Sequence, residues 1–545
     1  MNRRRTAGLF TLVAASLLCF VVVTANDGAG AAEKLGKVHF PVSCSPAAQQ
    51  QFDRAVALLH SFWFPEAAKA FTAVTQTDPS CAMAHWGMAM TWLGNPLAGP
   101  PTPKALKEGW AAVEKAKAAG AKTQRESDYI AAIEAFYKDA DKVEHRTRAV
   151  AYEKAMEALA ARYPQDREAA VFYALALNVT LVPTDKTYAN QLKAAKTLET
   201  VLAEQPEHPG VAHYLIHSYD FPPIAQHGLG AARRYAAIAP SAPHALHMPS
   251  HIFTRLGYWE ESIATNRNSA NVAKDEVNVS HPGSGSYNAL HAMDYMMYGY
   301  LQLAHDREAA GVLEEIKAYK TVDVEHFAAA YAFAAMPARY AFERRRWSEA
   351  AALTLHPPQL SWNRFPQCEA VTVFARGLGA ARSGDVAAAK KDIARLQQLR
   401  ETLTQAKSGY WAEQVEIQHQ VVSAWIARAE GRNDEALRLM RAAAELEGAT
   451  EKHPVTPGPL IPARELLAEM LLERGQPAQA LKEFEASHKV EPNRFHGLSG
   501  AARAAERSGD MAKARSYYTQ LVALAAKADT ERPEVAQAKA FLAKK

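Results

Sequence analysis

The chain has 545 residues and a formal net charge of +4, from 62 basic and 58 acidic side chains. Apolar residues make up 48% of it, so there is ample material for a large buried core. The near balance of charge gives no electrostatic basis for binding nucleic acid or an anionic membrane surface, and we expect neither as a partner.

The first 25 residues have the layout of a secretory signal peptide. Arg3-Arg4-Arg5 precedes an uncharged run at 6–26 that is rich in leucine, valine and alanine. Val23-Thr24-Ala25 offers a small-residue cleavage site, with residues 29–32 as a second choice. Removal of this segment would lower the formal charge to +1, because it holds three arginines and no acidic residue. We predict export to the periplasm or the exterior; the alternative is a membrane anchor formed by an uncleaved segment.

Three cysteines follow the predicted signal peptide. Cys44 precedes the first helix of the first predicted repeat, and Cys81 opens the first helix of the second. In an oxidising compartment these two could form a disulfide, although the sequence does not give the distance between them. Cys368 would then be the odd thiol, and we expect it to be a buried apolar residue.

Two pairs of histidines, and the two prolines that frame each pair, recur 34 residues apart. The matched positions are Pro206 and Pro240, Pro209 and Pro243, His213 and His247, and His217 and His251. This interval is the period of the tetratricopeptide (TPR) helical hairpin, which the chain resembles here, and in which each repeat buries its apolar faces by stacking on its neighbours. The resemblance implies that the histidines lie in register, one layer above another.

A third layer follows after a longer repeat, since a shift of 47 residues from the second layer reaches His291, Asp294 and Tyr298. Residues three, four or seven apart share one face of a helix, so each set projects together. In TPR proteins this helix lines the inner, concave surface, and the resemblance therefore implies a groove. The candidate ligand-binding residues are His213, His217, His244, His247, His251, His291, Asp294 and Tyr298.

Three interpretations of this stripe stay open. It could line a groove for a peptide, a protein or a small ligand, or it could be a structural ladder of hydrogen-bonded imidazoles. It could also hold zinc or copper, because two histidines four residues apart can present two nitrogens to one ion and a pair on a neighbouring helix could complete the shell. The metal interpretation assigns His213, His217, His247 and His251 as ligands, with Asp220 or Asp294 as a further ligand or as a carboxylate that fixes the imidazole tautomers.

Pro249 lies inside the helix that should begin near Pro243. It removes one backbone hydrogen bond, at about 3 kcal/mol, and so predicts a free carbonyl at Ala245 or a kink. Backbone strain of this kind is more common beside a site than in a plain scaffold.

The carboxyl-terminal part shows the 34-residue period most cleanly. Glycines fit the turn inside each hairpin, where a left-handed backbone is needed, and alanines let neighbouring helices approach. The matched positions are Gly475 and Gly509, Ala480 and Ala514, and Phe484 and Tyr518. The sequence therefore predicts an all-α fold, a right-handed superhelical solenoid of TPR-like hairpins with almost no β-structure. The predicted organisation is a signal peptide at 1–25, an extended segment at 26–46, an array with the histidine stripe at 47–355 and a second array at 356–545.

A finer resemblance rests on five short stretches. Together they resemble a group of exported bacterial TPR proteins, which supports the fold and export and supplies no catalytic role. The stretches are Val38 to Pro41, Ser43 to Pro46, Leu58 to Trp63, Cys81 to Trp86 and His244 to Phe253.

No catalytic motif stands out. The sequence has no nucleophile elbow, Walker-type loop or haem-attachment motif, and His-Tyr-Leu-Ile-His at 213–217 lacks the glutamate that a zinc protease helix places after its first histidine. We therefore predict a binding or scaffold protein with no assigned catalytic residue. The alternative is a zinc or copper protein, including a metal-dependent hydrolase, that uses the stacked histidine pairs.

Overall fold

The computed structural model describes residues 33–544, and the chain from Lys34 onward forms one compact unit. The predicted signal peptide at 1–25 and its cleavage sites lie outside the described residues. Within the described range the fold is all-α, and β pairing is limited to one isolated bridge between Gly285 and Val322. No helix in that range combines the length and apolar character needed to cross a membrane.

Helices follow one another as packed neighbours, and each makes its main contacts with the helices before and after it in the chain. This is the predicted all-α solenoid. A first hydrophobic core runs from Leu35 to Phe253. Its helices are α1 (Pro46–His60), α2 (Phe64–Thr77), α3 (Ala82–Trp92), α4 (Pro103–Ala119), α5 (Gln124–Tyr137), α6 (His145–Arg162), α7 (Arg167–Val179), α8 (Ala189–Glu204), α9 (Pro209–Tyr219), α10 (Leu229–Ile238), α11 (Pro243–His247) and α12 (Pro249–Leu256).

A second core runs from Trp259 to Ala538. The sequence placed the boundary between two arrays at 355/356, in a proline-rich stretch, yet the helices on both sides of that stretch share this second core. Packing changes over between Phe253 and Trp259 instead. The helices of the second core are α13 (Trp259–Ser280), α14 (Tyr287–Gln302), α15 (Asp306–Ala318), α16 (Phe327–Glu343), α17 (Trp347–Ala351), α18 (Pro366–Ser383), α19 (Val386–Gln405), α20 (Gly409–Ala429), α21 (Asn433–Ala449), α22 (Ala463–Glu473), α23 (Pro477–His488), α24 (Phe495–Ser508), α25 (Met511–Leu524) and α26 (Pro533–Leu542).

The proline repeat marks helix starts. Pro209 opens α9 and Pro243 opens α11, positions where the missing N–H of proline is tolerated. Pro249 divides the next stretch into α11 and α12, although Met248 between them keeps helical angles of φ −53° and ψ −36°. The predicted interruption is therefore present: Pro249 has no N–H to donate to the carbonyl of Ala245, and the two short helices continue nearly in line.

Residues 450–459, which we call the covering segment, connect α21 to α22 and contact the first core. Glu451 accepts hydrogen bonds from Lys186 Nζ at 2.7 Å and from Tyr188 Oη at 2.8 Å. These partners lie more than 260 residues earlier in the chain. The solenoid is thus closed on itself at this point by its own carboxyl-terminal half.

Cys44 and Cys81 form a disulfide with a Cα–Cα distance of 5.1 Å, which ties the segment before α1 to the residue before α3. Disulfides persist in oxidising compartments, which the predicted export would provide. Cys368 is a free and fully buried thiol in α18, and burial raises its pKa well above the usual value.

Gly210 lets α9 pack closely on α1. A Cβ at this position would lie 2.5 Å from His60 Nδ1, and His60 is held in place by Glu168 at 2.8 Å and by Tyr214 at 3.0 Å. We expect Gly210→Ala to reduce the free energy of unfolding by about 1–3 kcal/mol, because the clash falls on a fixed ring. Urea denaturation followed by circular dichroism measures it. Gly230→Ala in α10 is the matched control, since nothing lies within 4 Å of its Cβ, and a loss of equal size there would contradict the steric explanation.

Candidate functional site

Three histidines bring their Nε2 atoms to one point between α9 and α11. His213 Nε2 lies 3.1 Å from His217 Nε2 and 3.2 Å from His244 Nε2. His213 and His217 are one turn apart on α9, and His244 comes from the first turn of α11. In a tetrahedral shell with metal–nitrogen bonds of 2.0–2.1 Å, ligand nitrogens are about 3.3 Å apart. The observed spacing is close to that value.

A second group of three lies beside the first. His247 Nε2 is 3.0 Å from His251 Nε2, and the ring centroid of His291 on α14 is 4.2 Å from that of His247. Each of these three side chains offers a nitrogen within 4.8 Å of the others. His217 of the first group and His251 of the second have ring centroids 5.8 Å apart, so the two groups are neighbours.

The tautomers of His247 and His251 follow from the partners of their Nδ1 atoms. His247 Nδ1 donates to Asn266 Oδ1 at 2.7 Å, and Asn266 is oriented because its Nδ2 donates to the Ser262 carbonyl at 2.7 Å. His251 Nδ1 donates to Asp220 Oδ2 at 2.9 Å. Both rings therefore carry their proton on Nδ1, and both Nε2 atoms present lone pairs.

These two lone pairs face each other across 3.0 Å. A proton between them would make one ring an imidazolium, but burial lowers the pKa of His247 well below 6.5 and also lowers that of His251. The hydroxyl of Tyr295 is engaged as well, since it donates to the Thr456 carbonyl at 3.1 Å. Two buried acceptors in contact are unfavourable unless a cation lies between them.

His213 in the first group has the same kind of support. Its Nδ1 donates to the backbone carbonyl of His60 at 2.6 Å, which leaves its Nε2 lone pair directed at His217 and His244. Burial lowers the pKa of all three rings well below the usual value. Metal-ligating histidines commonly donate the other ring N–H to a carboxylate or a carbonyl in this way.

Asp220 is the carboxylate that orients His251, and it is itself enclosed by two cations. Arg255 Nε lies 2.9 Å from Oδ1, and Lys452 Nζ from the covering segment lies 2.7 Å from Oδ2. Burial alone would raise the pKa of the Asp220 carboxyl, but Lys452 and Arg255 hold it well below its usual range. Burial lowers the pKa of Lys452 to about 8.

Asp294 and Tyr298, which the sequence placed in the stripe with His291, lie elsewhere. The nearest cation to Asp294 is Arg339, with Nε at 3.5 Å, and Tyr298 lies under the guanidinium of the same arginine. Burial raises the pKa of Asp294 to about 6. The residue one turn beyond His291 is Tyr295, and its hydroxyl is 3.4 Å from His251 Nε2. The longer third repeat turns α14 so that this face, three to four residues out of register, meets the histidines.

The sequence interpretation of one ion shared by His213, His217, His247 and His251 also differs from the structure. Histidines four residues apart on a helix bring their Nε2 atoms together within their own layer, so each pair converges separately. A third imidazole then comes from a neighbouring helix. The two groups are His213, His217 and His244, and His247, His251 and His291.

Four contributors were missed by sequence reasoning. Arg255 is one turn beyond His251 and could have been found from helical spacing. Asn266 lies on the second helix of the hairpin, and Lys452 lies 232 residues beyond its partner Asp220, so neither has a local signal. Tyr295 was hidden by the assumption of a constant register.

A further group of His60, Glu168 and His208 is satisfied internally. Both histidines direct Nε2 to the Glu168 carboxylate, at 2.8 and 2.9 Å. The remaining nitrogens meet Tyr214 Oη and the Val211 N–H. This group is a buried hydrogen-bond network that joins α1, α7 and α9, and no nitrogen in it needs an ion.

No protein-family model matches the chain, and no curated protein sequence matches it. Among solved structures, the human IFIT1 dimer with PPP-AAAA gives a TM-score of 0.37 at 11% identity, over 87% of this chain and 89% of that chain. Naa15/Naa10 bound to HypK-THB gives a TM-score of 0.24 at 12% identity, over 91% of this chain and 73% of that chain. The fold is that of a TPR-like helical solenoid. Its assignment rests on the helix pairing described above, because similarity at this level does not bear on function.

Proposed function

We propose that this protein binds two transition-metal ions, one in each group of three histidines. The observation that carries the proposal is the contact between His247 Nε2 and His251 Nε2, two lone-pair acceptors 3.0 Å apart in a buried site. A structural ladder of imidazoles would need a donor between them, and the partners on both Nδ1 atoms leave none. A cation satisfies both nitrogens at once.

Imidazole nitrogens favour zinc and copper among the common ions. Three protein ligands leave at least one coordination position for water or another small ligand, which is the arrangement of exchangeable rather than closed structural sites. The chain supplies the remaining requirements with its own residues. Asp220, Asn266 and the His60 carbonyl fix the ring orientations, and burial keeps the imidazoles in the neutral form that binds metal.

The covering segment argues against a peptide as the ligand of the stripe. Lys452 and Pro454 lie against His217 and Asp220, and the Thr456 carbonyl accepts from Tyr295. The side chains of His213, His247 and His251 are almost wholly buried beneath it. A partner peptide would have to displace this part of the chain, whereas an ion needs no further space.

Metal content of protein prepared without an affinity tag tests the proposal. We expect about two equivalents of zinc or copper per chain by plasma mass spectrometry, after growth with both metals and dialysis. His213→Gln is expected to remove one equivalent and His251→Gln the other, because each removes a ligand from only one group.

His281→Gln is the matched control, since His281 is exposed beyond the end of α13, and it should retain two equivalents. Circular dichroism checks that each variant is folded. Wild-type protein that neither contains nor takes up either metal in a titration would exclude the proposal. Loss of metal from the control to the same extent would also count against it.

A further inference from the structure

A second feature of the covering segment is a cavity of about 150 Å³ on its other side, bounded by α12, α16, α18, α20 and α21. Trp411, Tyr410, Tyr331 and Phe374 form aromatic walls, and Glu447 and Glu491 are among its acidic residues. We propose that this cavity binds a small organic amine of about one ring, with its cationic nitrogen held by Glu491 and Glu447. An engineered apolar cavity of similar volume admits benzene, which sets the scale of the ligand.

Glu491 is the residue that points to a cation. It is 6% exposed and lines the cavity, yet no side chain or backbone N–H from residues 33–544 donates a hydrogen bond to its carboxylate. The cationic nitrogen recorded near it is Arg255 Nη1 at 3.9 Å, and Arg255 already directs its Nε and Nη2 at Asp220. A buried carboxylate without donors is unfavourable, and a ligand that brings N–H groups and positive charge relieves this.

Glu447 provides a second acceptor on the same cavity. One of its oxygens accepts from the Ala463 N–H at 2.8 Å, and the other has no donor among the described residues. Burial raises the pKa of Glu447 to about 8, and the charge of Glu491 raises it further. Two acidic groups that disfavour each other's ionisation are neutralised together by one bound cation.

The protein cations around the cavity are already paired elsewhere. Lys452 binds Asp220 at 2.7 Å, and Arg464 binds Glu483 at 2.6 Å. The protein therefore has no counter-ion to spare for both acidic residues. An anionic ligand would be repelled by them, and a neutral ligand would leave them unpaired, so the charge in the cavity selects for a cation.

The aromatic walls suit the body of such a ligand. Trp411 and Tyr410 have ring centroids 5.1 Å apart in an edge-to-face arrangement, and Tyr331 lies 6.4 Å from Trp411. Ring faces attract organic cations as well as apolar groups. A primary amine on a single aromatic ring meets both requirements, with the ring among the aromatic residues and the ammonium toward the acidic ones.

This inference does not depend on bound metal. Asp220, Arg255 and Lys452 lie between the cavity and His251, so an amine at Glu491 makes no contact with the histidine nitrogens. Binding is therefore measured on protein treated with a chelator, which also prevents an amine from coordinating an ion. The outcome then leaves the metal proposal untouched.

The experiment is calorimetric titration of the full chain, without metal, at pH 7. The probes are benzylamine and phenethylamine, each compared with its alcohol, benzyl alcohol or 2-phenylethanol. We expect at least one amine to bind at least tenfold more tightly than its alcohol, because only the amine brings a charge-assisted hydrogen bond. Glu491→Gln should weaken amine binding about tenfold or more and leave alcohol binding unchanged.

Glu445→Gln is the matched control, an exposed residue on α21, and should not change amine affinity. Glu447→Gln supplies a second variant and should weaken the amine as well, by a smaller factor because Gln retains the oxygen that meets Ala463. Equal affinity for amine and alcohol, no measurable binding of either amine, or unchanged affinity in folded Glu491→Gln would overturn the proposal.

Discussion

Asp220→Ala is expected to lower the free energy of unfolding by about 3–5 kcal/mol and to weaken one of the two metal sites about 10–100-fold. The first effect arises because Arg255 and Lys452 would remain buried without their shared carboxylate. The second arises because His251 would lose the acceptor on Nδ1 that fixes its tautomer. Urea denaturation in the presence of a chelator measures the first, and competitive metal titration measures the second.

The selectivity of this change is its sharpest aspect. Asp220 contacts His251 and none of His213, His217 or His244 by hydrogen bond, so the first group should keep its affinity. Asp434→Ala is the control for loss of a surface carboxylate, since the Asp434 side chain is 97% exposed, and it should shift neither quantity appreciably. Equal weakening of both metal sites, or unchanged stability, would show that Asp220 does not act as described.

Arg494→Met should be the most destabilising single change away from the histidines. Arg494 Nη2 lies 2.5 Å from Glu343 Oε1, its Nε lies 2.8 Å from Glu465 Oε1, and its Nη1 donates to Tyr298 Oη. The side chains of all three charged residues are 1% exposed. Removal of the arginine leaves two carboxylates buried without a counter-ion, and we expect a loss of about 3–5 kcal/mol in the free energy of unfolding.

A triple variant separates the charge from the packing. Arg494→Met, Glu343→Met and Glu465→Leu together replace the whole buried network with apolar side chains of similar size, and most of the lost stability should return. Arg395→Met is the surface control, because Arg395 is 44% exposed in its pair with Glu369, and it should change stability by less than about 1 kcal/mol. If the triple variant is no more stable than Arg494→Met, the loss is steric rather than electrostatic.

The repeat interval carried most of the fold and half of the site. An offset of 34 residues aligns Pro209 with Pro243 and His213 with His247, and the helices begin at those prolines. Short-range spacing is sufficient here, because neighbouring hairpins stack with a fixed translation. It placed His291 near the other histidines as well, since that residue begins the next layer.

Register failed where the repeat length changed. The offset of 47 predicted Asp294 and Tyr298 in the stripe, but the residue that reaches His251 is Tyr295, and Asp294 faces Arg339. An insertion between hairpins rotates the next helix, so equal positions no longer share a face. Nothing in the local sequence indicated that Lys452 would reach back to Asp220, because closure of the solenoid is a long-range event.

Closure by residues 450–459 also sets an order of events. An ion can be caught by α9, α11, α12 and α14 as soon as residues 209–302 have folded, when the bowl they form is still uncapped. Lys452 is synthesised 232 residues after Asp220, and once it is in place the bowl has a lid made of the same polypeptide. Loading then belongs to the biogenesis of the chain, and later exchange with free ions must wait for the lid to lift.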